Sequence, residues 1–194
     1  MLVWLARVTG LSAAPGMRGG AEDASGDVWL QEAAGGPLHR LTRDGGYSWP
    51  VFSADDLQVI AIRGGDLWAL PVDGAPPVKL ASAPEGLVSL VGSGPDGLVV
   101  LIADKIGTFS PETGAFSPFE PTSQEERNEI VRLRSPARSY SDRRLNLSER
   151  NGVVVVESAG RRREIVGDGA AAMQPSASHT LDRIVFITPS AAPS

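Results

Sequence analysis

Two histidines, one pair of adjacent aspartates and one serine between glycines are the residues whose types could do chemistry in this chain. His39 and His179 stand far apart in sequence, each without a cluster of carboxylates beside it. A metal site or an acid–base pair needs several such groups converging, so surface and turn positions are the expected places for both. Asp55-Asp56 follows Ser53-Ala54 and precedes Leu57, a spacing that suits a hairpin turn better than a calcium loop, which draws on many oxygens. Gly92-Ser93-Gly94 is superficially like a nucleophile elbow, but the Gly-x-Ser-x-Gly pentapeptide is absent. Gly45-Gly46 and Gly64-Gly65 lack the Lys-Ser/Thr that a phosphate loop requires. The chain has no cysteine, which removes disulfides, thiol catalysis and cysteine-held zinc. These residues predict neither an enzyme nor a cofactor or metal centre.

The remaining polar signal is basic and aromatic. Residues 1–126 carry 7 basic and 16 acidic side chains, a net −9, whereas residues 127–194 carry 11 and 7, a net +4. The polarity suits a charged protein partner, but the overall −5 is not the basic excess of a nucleic-acid binder. Arg43, Tyr47 and Trp49 lie beside a Gly45-Gly46 turn and form one candidate contact set for a protein or peptide. Arg132, Arg134 and Arg138 form a second. Arg161-Arg162-Arg163, with Arg143 and Arg144, is either a basic patch or a charged edge that discourages strand pairing.

What must position these residues is a repeat. Asp27-Val28-Trp29-Leu30 returns as Asp66-Leu67-Trp68-Ala69, and Ser53-Ala54-Asp55-Asp56-Leu57 returns as Gly94-Pro95-Asp96-Gly97-Leu98. A period of about 40 residues marks propellers and solenoids. Within one period, short apolar strands alternate with Gly, Pro and Asp turns: Tyr47 to Phe52, Leu57 to Ile62, Leu67 to Leu70, Pro77 to Leu80. Four antiparallel strands in that length make one propeller blade. Trp29 and Trp68 share one slot, and packing between neighbouring blades is their expected use.

The fold class is therefore all-β: a small or partial β-propeller of about four such blades over residues 1–187, with residues 1–26 able to add strands toward a fifth. The chain begins late in one unit and stops midway through another, so its terminal strands can complete one blade together. Residues 13–25, rich in Gly, Ala and Ser, are expected to form a flexible loop. Residues 117–140 are an insertion in which Gln124 to Leu133 can turn helical, and residues 188–194 a disordered tail. Met1 to Val8 is too short an apolar run to cross a membrane and reads as a strand rather than a signal peptide.

Leu41-Thr42-x-x-Gly45, Pro50-Val51-Phe52-Ser53-Ala54-Asp55-Asp56, Ile60-Ala61 and Gly65-Asp66-Leu67-Trp68 together resemble the WD40-like repeat (PD40) of TolB-type β-propellers. The family's Ser-Pro-Asp-Gly turn reads Ser53-Ala54-Asp55-Asp56 here and Gly94-Pro95-Asp96-Gly97 in the next unit, and the family normally has more blades. The resemblance implies a non-catalytic protein-binding scaffold in the periplasm or another extracytoplasmic space. The same repeat type also gates prolyl-oligopeptidase-like hydrolases, which makes an accessory propeller the first alternative. A partial ring completed by a second copy is the other.

Overall fold

The computed structural model describes residues 25–133, 139–141, 145–158, 160–165 and 171–189. They form sixteen strands and one helix. The expected unit is seen directly: β3 (Tyr47–Phe52), β4 (Gln58–Arg63), β5 (Asp66–Pro71) and β6 (Val78–Ser82) pair antiparallel in sequence order. A third blade repeats this with β7 (Leu87–Gly94), β8 (Gly97–Ile102), β9 (Lys105–Phe109) and β10 (Phe116–Pro118). A fourth uses β11 (Ser139–Ser141), β12 (Leu145–Arg150), β13 (Val153–Ser158) and β14 (Arg161–Ile165).

The first blade is composite. β1 (Gly26–Glu32) pairs with β16 (Arg183–Pro189) over seven residue pairs, from Gly26 opposite Pro189 to Glu32 opposite Arg183. β15 (Met173–Ala177) and the two-residue β2 (His39–Arg40) complete it, so strands from the two ends of the described chain share one sheet. The C-terminal segment is ordered further than the sequence suggested. Thr188 and Pro189 belong to β16, and the Thr188 hydroxyl accepts a hydrogen bond from the Trp29 indole at 2.9 Å. The strand read at Met1 to Val8, and the loop from residue 13 up to 24, lie outside the described residues.

Alternation along each second strand explains how the blades stack. Strand side chains point to opposite faces with a period of two. Val185 and Ile187 of β16 meet Val59 and Ala61 of β4 in one core, with Val28, Tyr47, Phe52 and Leu70. Ile184 and Phe186, on the other face of β16, meet Leu145, Leu147, Val154 and Val156 of the fourth blade. Ile60 of β4 joins Trp49, Leu67 and Ala69 against Leu90, Leu98, Val100 and Phe109 of the third blade. The order is fourth, composite, second, third. Because both faces of these strands are buried, they read in sequence as unbroken apolar runs.

Trp29 and Trp68 occupy equivalent positions, each packing toward the preceding blade. Their indoles differ. Trp29 has Thr188 as acceptor, whereas the residue at the matching register in the second blade is Arg63, which cannot accept. Trp68 Nε1 is accordingly buried without a partner among the described residues, and the Arg63 guanidinium lies 6.0 Å from the Trp68 ring centroid.

The insertion contributes helix α1 (Gln124–Leu133). Its start is a capping box: Ser123 Oγ accepts from the Glu126 amide at 3.1 Å, and the Ser123 amide donates back to the Glu126 carboxylate at 3.3 Å.

The composite blade yields a test. A Cβ on Gly26 would sit 1.8 Å from the Thr188 carbonyl oxygen, so no side chain fits there without moving β16. Gly26→Ala is expected to cost about 1–3 kcal/mol in urea unfolding, as overpacked sites do. Gly92→Ala, at a strand position with no positive φ where a Cβ likewise meets nothing within 4 Å, is the control without the clash. Equal losses at the two positions would show that the β1–β16 seam tolerates the added methyl.

Candidate functional site

The strongest polar constellation lies where three hairpins end together: residues 53–57 between β3 and β4, residues 178–182 between β15 and β16, and Pro95-Asp96 between β7 and β8. They hold the same repeat position in three blades. The fourth residue of each turn is left-handed: Asp56 at φ 59°, Leu181 at 62° and Gly97 at 124°. Aspartate tolerates that conformation better than most residues.

In the second blade the turn is held locally by its first and third residues. Ser53 Oγ donates to Asp55 at 2.6 Å, and Asp55 accepts the Leu57 amide at 3.0 Å. These bonds, led by that from Ser53, hold the Asp55 carboxyl below its usual range. Asp56 turns away from its own hairpin. Its carboxylate accepts the His179 amide at 2.8 Å, the Thr180 amide at 3.0 Å and the Thr180 hydroxyl at 3.1 Å, all from the composite blade. Arg183 donates to the Asp56 carbonyl at 2.8 Å, and its guanidinium lies 5.7 Å from the Phe52 ring centroid. Burial would push the Asp56 carboxyl up; the bonds from His179 and Thr180 outweigh it and hold the carboxyl below its usual range.

His179 extends the linkage to the third blade. Nδ1 lies 3.0 Å from Asp56 Oδ1, and Nε2 lies 3.2 Å from the carbonyl oxygen of Ser93. The Ser93 hydroxyl donates instead to the Phe52 carbonyl at 2.5 Å. Aspartate, histidine and serine therefore converge without forming a nucleophile–base pair, because the imidazole meets the serine's backbone and not its hydroxyl. What the arrangement does is fix three turns against one another, with Leu57 62% exposed at the rim.

A second polar relay runs between inner strands. Trp49 and Gln174 are both followed by proline, both have positive φ (54° and 50°), and both sit at bulges. The bulge frees each amide from the ladder. The Gln174 amide donates to Glu149 of the fourth blade at 2.7 Å, and the Trp49 amide donates to the Gln174 side chain at 2.5 Å.

The sequence-predicted contact residues fall in different places. Arg43 is exposed on the connection between β2 and β3. Tyr47 is fully buried between the composite and second blades, and Trp49 is buried between the second and third. Neither aromatic offers a face to solvent. Tyr47 instead accepts from Arg63 at 3.1 Å beneath its guanidinium, and burial, against the pull of Arg63, holds its hydroxyl above the usual range. Arg132 lies on α1, in a stretch whose side chains are not described, while Arg134 and Arg138 lie outside the described residues, as do Arg143 and Arg144. Arg161 to Arg163 are on strand β14. Arg163 reaches the composite blade, donating to Gln31 at 3.1 Å and to the carbonyls of Glu32 and Ala33 at 2.9 and 2.8 Å, so it is a tether and not part of a free basic patch. His39 is exposed on β2. Among the described residues, no group of His, Asp and Glu is arranged to hold a metal ion, and no helix is long and apolar enough to cross a membrane.

The Asp56 joint sets a pH test. A carboxyl with a depressed folded-state pKa contributes stability above its unfolded value, and that contribution disappears as pH falls through the folded value. Wild type is expected to exceed Asp56→Asn in stability at neutral pH, with the gap closing below about pH 4, near the ordinary aspartate value. Parallel urea titrations from neutral to strongly acid pH measure the gap; a constant difference would locate the effect in shape and not charge.

No protein-family profile matches the chain, and no curated protein matches it. Among solved structures it is similar to the crystal structure of TolB from Acinetobacter baumannii, at 9% sequence identity and a TM-score of 0.32. The match covers 89% of this chain and 55% of that one, so the chain spans about half its length. That likeness is no more than a general one of β-rich shape; the assignment of a β-propeller-like scaffold rests on the blades and interblade cores described above.

Proposed function

We propose that the chain is a non-catalytic scaffold that binds a protein or peptide on the end carrying the three joined hairpins. The observation that supports this reading is the Asp56–His179–Ser93 linkage, which fixes neighbouring turns while leaving Leu57 and Asp182 exposed. Loops held this way lose little freedom on binding, so more of the contact energy appears as affinity. Leu57 supplies an apolar anchor in a polar rim, the usual anatomy of a contact surface. The non-catalytic part of the reading is favoured by the imidazole, whose two nitrogens engage a carboxylate and a backbone carbonyl. Arg43 is exposed at the opposite end of the second blade and is not part of this surface.

Self-association is a second reading, favoured by β6. This edge strand exposes Val78 at 57% and Leu80 at 40%, and its one charge, Lys79, is paired with Asp66 at 2.8 Å. The other outer strands carry an arginine run, a proline or only two residues, devices that discourage edge pairing.

Photo-crosslinking tests the hairpin end. Benzoylphenylalanine placed at Leu57 is expected to give one discrete adduct in the native extract, lost when Asp182 is changed to Arg. The same probe at Lys105, on the opposite end of the third blade, should give none. Equal adduct patterns from both positions would overturn the assignment, and an adduct of twice the chain mass would favour self-association.

A further inference from the structure

Each blade leaves its fourth strand as an outer edge, and a bare edge is a row of backbone donors and acceptors without partners. The inner strands are not open in the same way, since β3 lies against both β15 and β7. Three of the four outer strands are guarded. β2 has two residues, β10 is three residues ending in Pro118, and β14 exposes Arg161 and Arg162.

β6 is the exception. It runs Val78-Lys79-Leu80-Ala81-Ser82 and ends its sheet, with β5 on one side and no strand on the other among the described residues. Val78 is 57% exposed and Leu80 40%. The Lys79 ammonium, the kind of charge that guards such an edge, is held on its own blade by Asp66 at 2.8 Å. The register shift against β5 places Leu67 opposite Ala81 and Trp68 opposite Lys79, so Leu80 is an extra residue with no opposite in β5. A bulged residue of this kind is left out of the ladder. An exposed apolar side chain and unladdered backbone therefore coincide at the middle of the strand.

We propose that β6 pairs antiparallel with β6 of a second copy of this chain, with Leu80 at the two-fold axis. The proposal rests on the self-association reading above and is independent of the hairpin end. Elimination and symmetry select the occupant. No other described outer strand is unguarded, so the edge that one copy offers another is β6. Identical edges that meet are related by a two-fold axis, which closes the assembly at two copies and leaves no such edge for a third. An axis at Leu80 sets Val78 opposite Ser82 of the second copy and Lys79 opposite its Ala81, so no like charges face each other. An axis one residue earlier would set Lys79 against itself.

The chain has no native cysteine, so single thiols report the register. In the proposed pairing Leu80 faces its own copy, whereas Val78 lies four residues, about 14 Å, from its own. A disulfide needs Cα atoms within about 7 Å. Under mild oxidation Leu80→Cys is expected to form a covalent dimer at least about tenfold faster than Val78→Cys. A mixture of Val78→Cys and Ser82→Cys chains should give the mixed dimer in preference to either homodimer. Sedimentation of the unaltered chain should show a concentration-dependent dimer and nothing larger, and Leu80→Lys should be monomeric with an unchanged urea midpoint. A monomer at every concentration would end both this pairing and the self-association reading. A dimer that Leu80→Lys leaves intact, or equal linking rates at 78 and 80, would overturn the β6 pairing alone.

Discussion

The β1–β16 pairing is the constraint on which the other contacts depend. Seven residue pairs bring together segments more than 150 positions apart in the chain. The loop-closure cost of such a contact grows only logarithmically with length, so the seam is thermodynamically modest but kinetically late. Its consequence is spatial. β16 is the middle wall of two cores at once, with Val185 and Ile187 on one side and Ile184 and Phe186 on the other. Until β1 docks, β16 has an open edge and the composite blade lacks Val28 and Leu30, two of the side chains that meet the second blade. The fourth blade reaches the second through this composite sheet, so the seam sets the relative position of three blades.

That much of the architecture was legible because it is written as period and alternation. The return of Asp-x-Trp, at residues 27–29 and again at 66–68, gave the period, and the phase of the first and last units pointed to a shared blade. The unbroken runs Val59 to Ile62, Leu98 to Ile102 and Ile184 to Ile187 are what burial on both faces demands. The extent of β16 was less legible. Thr188 and Pro189 sit in a stretch of small and polar residues that reads as a frayed tail, and their order comes from a partner strand at the far end of the chain.

The hairpin joint was only half legible. Ser53-Ala54-Asp55-Asp56 reads correctly as a turn, and Asp55 behaves as turn chemistry requires. Nothing local distinguishes Asp56 from it, yet Asp56 spends its carboxylate on another blade. Tyr47 and Trp49 were ambiguous for a related reason: an aromatic beside a glycine turn suits a binding mouth or a core equally until the neighbouring blade is placed. Arg163 shows the same limit, since an arginine run at a sheet edge does not reveal which guanidinium will cross to the Glu32 and Ala33 carbonyls.

These cases share a physical logic. A propeller built from identical blades would need only face-to-face apolar packing, and its turn residue could be glycine throughout, as Gly97 is in the third blade. Here the repeat departs from itself where one blade must hold a particular neighbour. Asp56 replaces the glycine and gains two amides and a hydroxyl from the composite blade; Gln174 matches Trp49 in backbone shape and supplies that residue's acceptor. Arg63 stands where Thr188 stands one blade earlier, bonding Tyr47 and leaving the Trp68 indole without an acceptor among the described residues. Apolar packing specifies that blades stack, with little preference for which; these polar substitutions specify the order. A buried polar bond contributes little net stability when made and costs more when broken, so it penalises the wrong neighbour more than it rewards the right one. In a chain with few blades and one seam, that asymmetry is what keeps each sheet beside its own partner.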